Sequence, residues 1–114
     1  MVKDDYPVVV YQILAYLYQC LKKDMVVEEK YLRAQGELFE INDNYWRFII
    51  FNLQNDNYIT GSTFTKVWGE NLPVISNLEN ITITPKGIEY LTENSFISKA
   101  KEFLKDTKGI IPFV

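Results

Sequence analysis

The stretch Ile83-Thr-Pro-Lys-Gly-Ile-Glu-Tyr-Leu91 marks the point where a strand gives way to a helix. Thr84 carries a hydroxyl that can cap a helix N-terminus, and Pro85 suits the first helical position, where its missing N–H costs little. We therefore predict a helix that begins here and continues to Asn94. The segment before it, residues 78–83, alternates apolar and polar side chains, which is typical of a half-buried strand.

A second strand-like segment lies upstream, over residues 58–68, and is rich in β-branched and aromatic side chains. Gly69 and Pro73 punctuate the residues between the two segments, as expected of a long hairpin loop over residues 69–77. The two segments together predict an antiparallel pair of strands.

Three helices are predicted before this hairpin. The first begins after Asp5, a candidate cap, and ends near Lys22 and Lys23, which are cations suited to a helix C-terminus. This helix is apolar on two sides, so it is either central to the domain or half of a subunit contact. After a polar connection, a short second helix is predicted over residues 28–34, with Gly36 as its stop signal.

The third predicted helix runs from about Asn44 to Asn55, with Asn42 or Asp43 as its cap. Its strongest apolar positions recur every three or four residues, which predicts one stripe facing the core. That stripe consists of Trp46, Ile49, Ile50 and Leu53.

A last helix is predicted after Ser95, which can cap it. Gly109 ends this helix and leaves an apolar tail over residues 110–114. Its basic residues outnumber its acidic ones, which we interpret as a solvated face with a Glu102–Lys105 pair. The apolar positions are Phe96, Ala100, Phe103 and Leu104.

The order of three helices, a two-stranded hairpin and two further helices is that of a winged helix-turn-helix domain. We therefore predict an α+β, mostly α, fold with a single domain over residues 1–114. The helix-turn-helix pair would span about residues 28–57, the wing hairpin about residues 58–83 and the C-terminal helices about residues 84–108.

Three stretches resemble the YjcQ family, small winged-helix proteins of bacteria and their phages. Tyr11-Gln-Ile-Leu-Ala-Tyr-Leu-Tyr18 fits the first helix, and Leu53 through Gly61 fits the end of the third helix and the first strand. Residues 83–94, with Ser98-Lys-Ala100 and the basic helix that follows, make the most specific match. The resemblance implies a winged-helix fold and a bacterial or phage origin. It brings no catalytic motif.

The composition argues against an enzyme. The chain has 114 residues and no histidine, so it lacks the commonest general base and the commonest metal ligand. Cys20 is the only cysteine, and on the apolar side of a helix it is expected to behave as a small hydrophobe. The five glycines form no phosphate-binding motif. We predict a protein that is not an enzyme and that uses no cofactor or metal.

The first residues and the apolar runs bear on localisation. Two acids and one base precede the first apolar run, which is wrong for a signal peptide. No apolar run approaches the ~20 residues that span a bilayer. We therefore expect a cytoplasmic protein with no membrane partner and no evident small-molecule substrate.

A winged-helix DNA reader places its third helix in the major groove, with the face opposite the core stripe toward the bases. On that face, Asn44, Arg47, Gln54 and Asn55 have side chains able to read base edges. Lys66 adds a cation from the hairpin. These five residues are the candidate DNA-binding set.

Charge argues against that set. The whole chain carries a net charge of −3, and residues 28–57 alone hold three bases and six acids. Phosphate neutralisation supplies most of the nonspecific affinity for DNA, so a segment of this charge is poorly suited to approach a duplex.

Two aromatic features indicate a protein contact instead. Phe48 and Phe51 lie one helical turn apart on the outer face of the third helix, and such pairs are typical of interface centres. Tyr11 and Tyr18, on the second apolar flank of the first helix, and the tail 110–114 are further candidate interface residues. The favoured hypothesis is a small regulatory or adaptor protein that contacts a protein partner or a second copy of itself. The alternative is a sequence-specific DNA-binding transcriptional regulator that uses the third helix and the wing.

Overall fold

The computed structural model describes residues 1–106 and has an α+β, mostly helical, architecture. Its helices are α1 (Tyr6–Lys22), α2 (Glu29–Leu32), α3 (Asp43–Asn55), α4 (Pro85–Glu93) and α5 (Ser95–Asp106). Its strands are β1 (Ile59–Thr60), β2 (Thr63–Thr65), β3 (Val74–Ser76) and β4 (Thr82–Ile83), with a short 3-10 helix at Leu78–Asn80. The predicted end of the last helix at Gly109 and the tail 110–114 lie outside the described residues.

Helix α1 lies at the centre of the core, which explains why it is apolar on two sides. It packs against α4, α5 and β4. Val8, Val9, Val10, Ile13 and Leu14 have no exposed surface. Because the helix is surrounded by the rest of its own chain, its second apolar flank needs no subunit contact to be buried.

Helix α2 is shorter than the predicted span of residues 28–34. It ends at Leu32, and the next residue, Arg33, is extended. The carbonyl of Leu32 accepts a hydrogen bond from the indole N–H of Trp46 at 2.7 Å. In a longer helix this carbonyl would accept from a backbone N–H one turn further on. Gly36 therefore lies beyond the helix, in a turn that Gln35 and Glu40 close by a β-bridge.

Helix α3 confirms both its predicted cap and its predicted core stripe. The Asn42 side chain accepts a hydrogen bond from the backbone N–H of Tyr45 at 2.8 Å. The four buried residues of this helix are Trp46, Ile49, Ile50 and Leu53.

The predicted pair of long strands is present as two short antiparallel ladders, one following the other along the hairpin. Strand β1 pairs with β4, with Ile59 opposite Ile83. Strand β2 pairs with β3, with Phe64 opposite Ile75. The second predicted strand, residues 78–83, is wrong over its first half, which forms the 3-10 helix, and β3 arises within the predicted loop.

Two backbone positions separate the ladders. Gly61 has a φ of 109°, a region that side chains strain to adopt, and a Cβ there would overlap the carbonyl oxygen of Asn80. Asn77, on the returning chain, takes the left-handed conformation with a φ of 60°. Both strands of the hairpin therefore depart from extended geometry, the outgoing one at Gly61 and the returning one at Asn77, and a continuous ladder cannot form.

The start of α4 is confirmed, whereas the start of α5 differs from the prediction. Thr84 accepts a hydrogen bond from the N–H of Gly87 at 3.0 Å. At α5 the cap is Asn94, whose side-chain oxygen accepts from the N–H groups of Phe96 and Ile97, and not Ser95. With the helix set by this cap, Ile97 enters the core, whereas Phe96, one of the apolar positions of the predicted helix, is 61% exposed.

Within residues 1–106, no helix is long and apolar enough to cross a membrane.

Candidate functional site

Arg47, the most basic candidate on the outer face of α3, is held by two carboxylates of its own chain. Its Nε lies 2.8 Å from Oδ2 of Asp43, one turn earlier, and its Nη1 lies 2.6 Å from Oε2 of Glu70 in the hairpin. The hydrogen bond to Glu70 and the charge of Asp43 raise the pKa of the guanidinium. Only 20% of the side chain is exposed. A groove contact would have to displace both carboxylates.

Gln54, two turns further along α3, is also engaged. Its Nε2 donates to the carbonyl of Ser62 at 3.0 Å, and its Oε1 accepts from the backbone N–H of Ser62 at 3.0 Å. The Ser62 hydroxyl donates to the same Oε1. Both ends of the amide that could read an adenine are therefore used to fix the start of β2.

Phe51 lies between these two residues on the same stripe of α3. Its ring packs on Phe64 of β2, with 5.2 Å between the ring centroids. The expectation of two exposed phenylalanines is therefore wrong for Phe51, which is half-buried. The ring that covers it comes from the hairpin.

Arg47, Phe51 and Gln54 thus form one stripe that the hairpin covers. In chain order they contact Glu70, Phe64 and Ser62, so the β2 side of the hairpin runs antiparallel to α3. We call Arg47, Phe51 and Gln54 the covered stripe. Sequence reasoning missed this cover because the partners lie 8 to 23 residues away along the chain.

The neighbouring stripe of α3 stays exposed. Phe48 is 47% exposed, and its ring meets Tyr6 edge-on at 6.3 Å between centroids. Asn44 and Asn55, the other two candidates for base contacts on α3, are exposed. This surface presents an aromatic ring between amides and contains no cation.

The hairpin tip displays Lys66 and Trp68. Lys66 is exposed, and Trp68 is 100% exposed. The Glu70 N–H donates to the carbonyl of Val67 at 3.2 Å, which closes a β-turn with Trp68 and Gly69 at its corners. Gly69 has a φ of 81°, as the third residue of a type II turn requires.

A cleft that sequence reasoning did not find lies at the other end of the hairpin. The rings of Tyr58, before β1, and Tyr90, in α4, stand 4.4 Å apart. Together with Lys86, Glu89, Glu93 and Asn94 they line a cleft of about 260 Å³. Its only sequence signal is the placement of Lys86, Glu89, Tyr90 and Glu93 at helical spacing along one side of α4.

The position of Lys86 in this cleft is fixed by two contacts. Its Nζ donates to the carbonyl of Asp56 at 3.0 Å and lies 5.1 Å from the centroid of the Tyr58 ring. The carboxylates of Glu89 and Glu93 make no ion pair with any residue of the described range 1–106. The lining of the cleft therefore holds two carboxylates and one ammonium, and its net charge is negative.

A comparison with protein families bears on the whole chain. The model of the YjcQ family, described as YjcQ protein, matches residues 11–110. The chain belongs to the YjcQ family. Neither a curated protein nor a solved structure shows a significant match to it.

In this YjcQ-family chain, the two tyrosines predicted as interface residues on α1 differ in burial. Tyr11 is 6% exposed and belongs to the core, so it offers no surface to a partner. Tyr18 is half-buried, and the ammonium of Lys22 lies 4.3 Å from its ring centroid. Burial of Tyr11 follows from the central position of α1.

The remaining candidates for chemistry in this family member show no sign of reactivity or metal binding within residues 1–106. Cys20 is buried, and burial raises the pKa of its thiol, which disfavours the thiolate. Among residues 1–106, no group of three or more acidic or cysteine side chains is placed to hold a metal ion. On α5, Lys105 and Glu102 lie 3.9 Å apart as predicted, with both side chains exposed.

Proposed function

We propose that this YjcQ-family protein is a small, non-enzymatic winged-helix regulator or adaptor that acts through protein contacts. In this proposal α2 and α3 form the helix-turn-helix pair, and residues 58–83 form the wing. The two ladders between α3 and α4 support that assignment, since they occupy the place of a wing in the order of elements.

The covered stripe is the observation that carries the proposal. A recognition helix must offer its outer side chains to base edges, yet Arg47 and Gln54 are committed to Glu70 and Ser62. Releasing Arg47 for DNA would leave two carboxylates, Asp43 and Glu70, facing the phosphates. Their charge opposes the approach of a duplex.

Exposed aromatic surface supports a protein contact. Phe48 and Trp68 both present large rings to solvent, and aromatic residues are enriched at interface centres while charged ones are depleted. The surface around Phe48 on α3 carries amides and no cation, which fits a protein partner better than a polyanion.

The absence of enzymatic activity is part of the proposal. The sequence contains no histidine, and the Cys20 thiol is buried beside Tyr16 with a raised pKa. The chain therefore has no histidine to act as a general base, and its one cysteine is not in a state that favours the nucleophilic thiolate.

A second candidate function is sequence-specific DNA binding. It is favoured by the exposure of Asn44 and Asn55 on the uncovered stripe of α3 and of Lys66 at the hairpin tip, three members of the predicted DNA-binding set. Asparagine can pair with adenine, and Lys66 can contact a phosphate. This function would need the wing to reach the backbone while α3 offers only its exposed stripe.

Titration of a labelled random duplex at low salt separates the two functions. We expect no binding up to protein concentrations of about 10⁻⁴ M, because nonspecific affinity depends on cations that this surface lacks. The Glu70→Gln variant, which removes one carboxylate from Arg47, serves as a matched control and is also expected not to bind.

Binding that weakens steeply with salt and is reduced by Arg47→Ala or Lys66→Ala would contradict the proposal and establish the second function. Binding by Glu70→Gln alone would show that the Glu70 carboxylate masks a functional DNA-reading arginine, which is also contrary to the proposal.

A further inference from the structure

Trp68 is exposed because an ordered turn holds it away from the protein. The turn is closed by the hydrogen bond from the Glu70 N–H to Val67, and Gly69 supplies the positive φ that it needs. The Glu70 side chain is in turn anchored to Arg47 on α3. The indole is therefore presented on a turn tied to a rigid helix, which lowers the entropic cost of binding.

The chain itself provides a cleft with matching properties. The cleft of about 260 Å³ is lined by the neighbouring rings of Tyr58 and Tyr90, which offer aromatic surface on which an indole ring can pack. The ammonium of Lys86, which already lies over the Tyr58 ring, can also face an indole.

The charges of the tip and the cleft are complementary. At the tip, Glu70 is paired with Arg47, whereas Lys66 makes no ion pair within residues 1–106, so the available charge is positive. At the cleft, the carboxylates of Glu89 and Glu93 make no ion pair within residues 1–106 and outnumber the one ammonium, that of Lys86, so the net charge of the lining is negative. An entering Trp68 would bring Lys66 toward these carboxylates.

Tip and cleft lie at opposite ends of one hairpin. Trp68 lies in the loop between β2 and β3, while Tyr58 precedes β1 and α4 follows β4. Two hairpins placed side by side in opposite directions around a two-fold axis would bring each tip to the other's cleft. Such a reciprocal contact closes a dimer and leaves no unsatisfied end.

We propose that the cleft formed by Tyr58, Tyr90, Glu89 and Glu93 receives Trp68 of a second copy of this chain, with Lys66 facing the two carboxylates. The inference rests on the proposed function, since it names the partner in a protein contact.

Sedimentation equilibrium across a range of protein concentrations tests the contact. The wild-type chain is expected to dimerise, and Trp68→Ala is expected to weaken the dimer at least about tenfold, as loss of an interface tryptophan does. Because Trp68 is 100% exposed, this variant is expected to keep its fold. Phe96→Ala, which removes another exposed aromatic ring, is the matched control and is expected to leave the dissociation constant unchanged.

A charge exchange makes the test specific to this pairing. Lys66→Glu in one chain, and the pair Glu89→Lys and Glu93→Lys in another, should each weaken the homodimer by repulsion. In a mixture of the two variants, the heterodimer has opposite charges at both contacts, so its affinity should return to about that of the wild type. Recovery in the mixture also shows that neither variant is misfolded.

A chain that stays monomeric at all concentrations, a dimer that Trp68→Ala leaves intact, or a mixture no tighter than its components would each overturn the inference. These outcomes are distinguishable from failure of the proposed function, which salt-dependent duplex binding would show independently of the oligomeric state.

Discussion

Gly61 lies between β1 and β2, where the hairpin is divided into two ladders. Its φ of 109° and the proximity of the Asn80 carbonyl leave no room for a Cβ. Gly69 at the tip also has a positive φ, but open space surrounds the position where its Cβ would lie. A substitution at Gly69 therefore causes backbone strain alone, whereas a substitution at Gly61 causes backbone strain and a steric clash.

Gly61→Ala is expected to lower the free energy of unfolding by more than about 2 kcal/mol, because it adds overlap with Asn80 to backbone strain. Gly69→Ala is expected to cost about 1 kcal/mol from strain alone. Urea denaturation followed by circular dichroism measures both. Equal losses would show that Asn80 moves away freely and that the two ladders are not held apart at this point.

Helix α5 depends on a cap that lies one residue before the one predicted. The Asn94 side chain accepts two backbone N–H groups, and this choice rotates the helix so that Ile97, and not Phe96, is buried. Asn94 also lines the cleft beside Tyr90, so the same residue contributes to the stability of α5 and to the shape of the cleft.

Asn94→Ala is expected to cost about 1 kcal/mol of stability, since it leaves two helix N–H groups without their acceptor. Ser95→Ala, the control, is expected to stay within about 0.5 kcal/mol of the wild type. The midpoints of thermal unfolding report both. A larger loss from Ser95→Ala than from Asn94→Ala would assign the cap to the serine hydroxyl.

Tyrosines that are wholly or partly buried make the stability of the whole molecule sensitive to alkaline pH. Burial, with the Tyr90 hydroxyl and Asp56 next in effect, raises the pKa of Tyr6 to about 12 from an ordinary 10.0. Burial also raises the pKa of Tyr11, Tyr45 and Tyr90. The unfolded chain therefore loses these protons first.

The free energy of unfolding is expected to be constant just below pH 10 and to fall as pH rises from about 10 to about 12, because the unfolded state binds fewer protons than the native state there. Tyr6→Phe should make that fall shallower. Urea midpoints measured at a series of pH values test this. A midpoint that stays level through this range, or the same slope in Tyr6→Phe, would contradict the burial of the phenol.

Several features that a local pattern sets were predicted from the sequence, although the cap of α5 was not. The caps at Asn42 and Thr84 and the core stripe of α3 depend on neighbours within four residues, and all were predicted. The short α2 could not be predicted because Trp46, 14 residues away, takes the Leu32 carbonyl. The chain belongs to the YjcQ family, as the matched stretches indicated.

Long-range contacts also limited what could be predicted about the candidate site. The exposure of Phe48 followed from the helical pattern, whereas the cover over Arg47, Phe51 and Gln54 depends on the path of the hairpin. The cleft at Tyr58 and Tyr90 joins residues 32 positions apart, and no local pattern encodes their meeting.

The covered stripe of α3 is tested most directly by nuclear magnetic resonance of the labelled protein, alone and with a random duplex at low salt. We predict cross-peaks between the rings of Phe51 and Phe64 that persist after the duplex is added, with the Arg47 Nε–H resonance unchanged. Absence of those cross-peaks in the free protein, or their loss together with a shift of the Arg47 resonance on adding duplex, would show that α3 is open to DNA and would contradict the account.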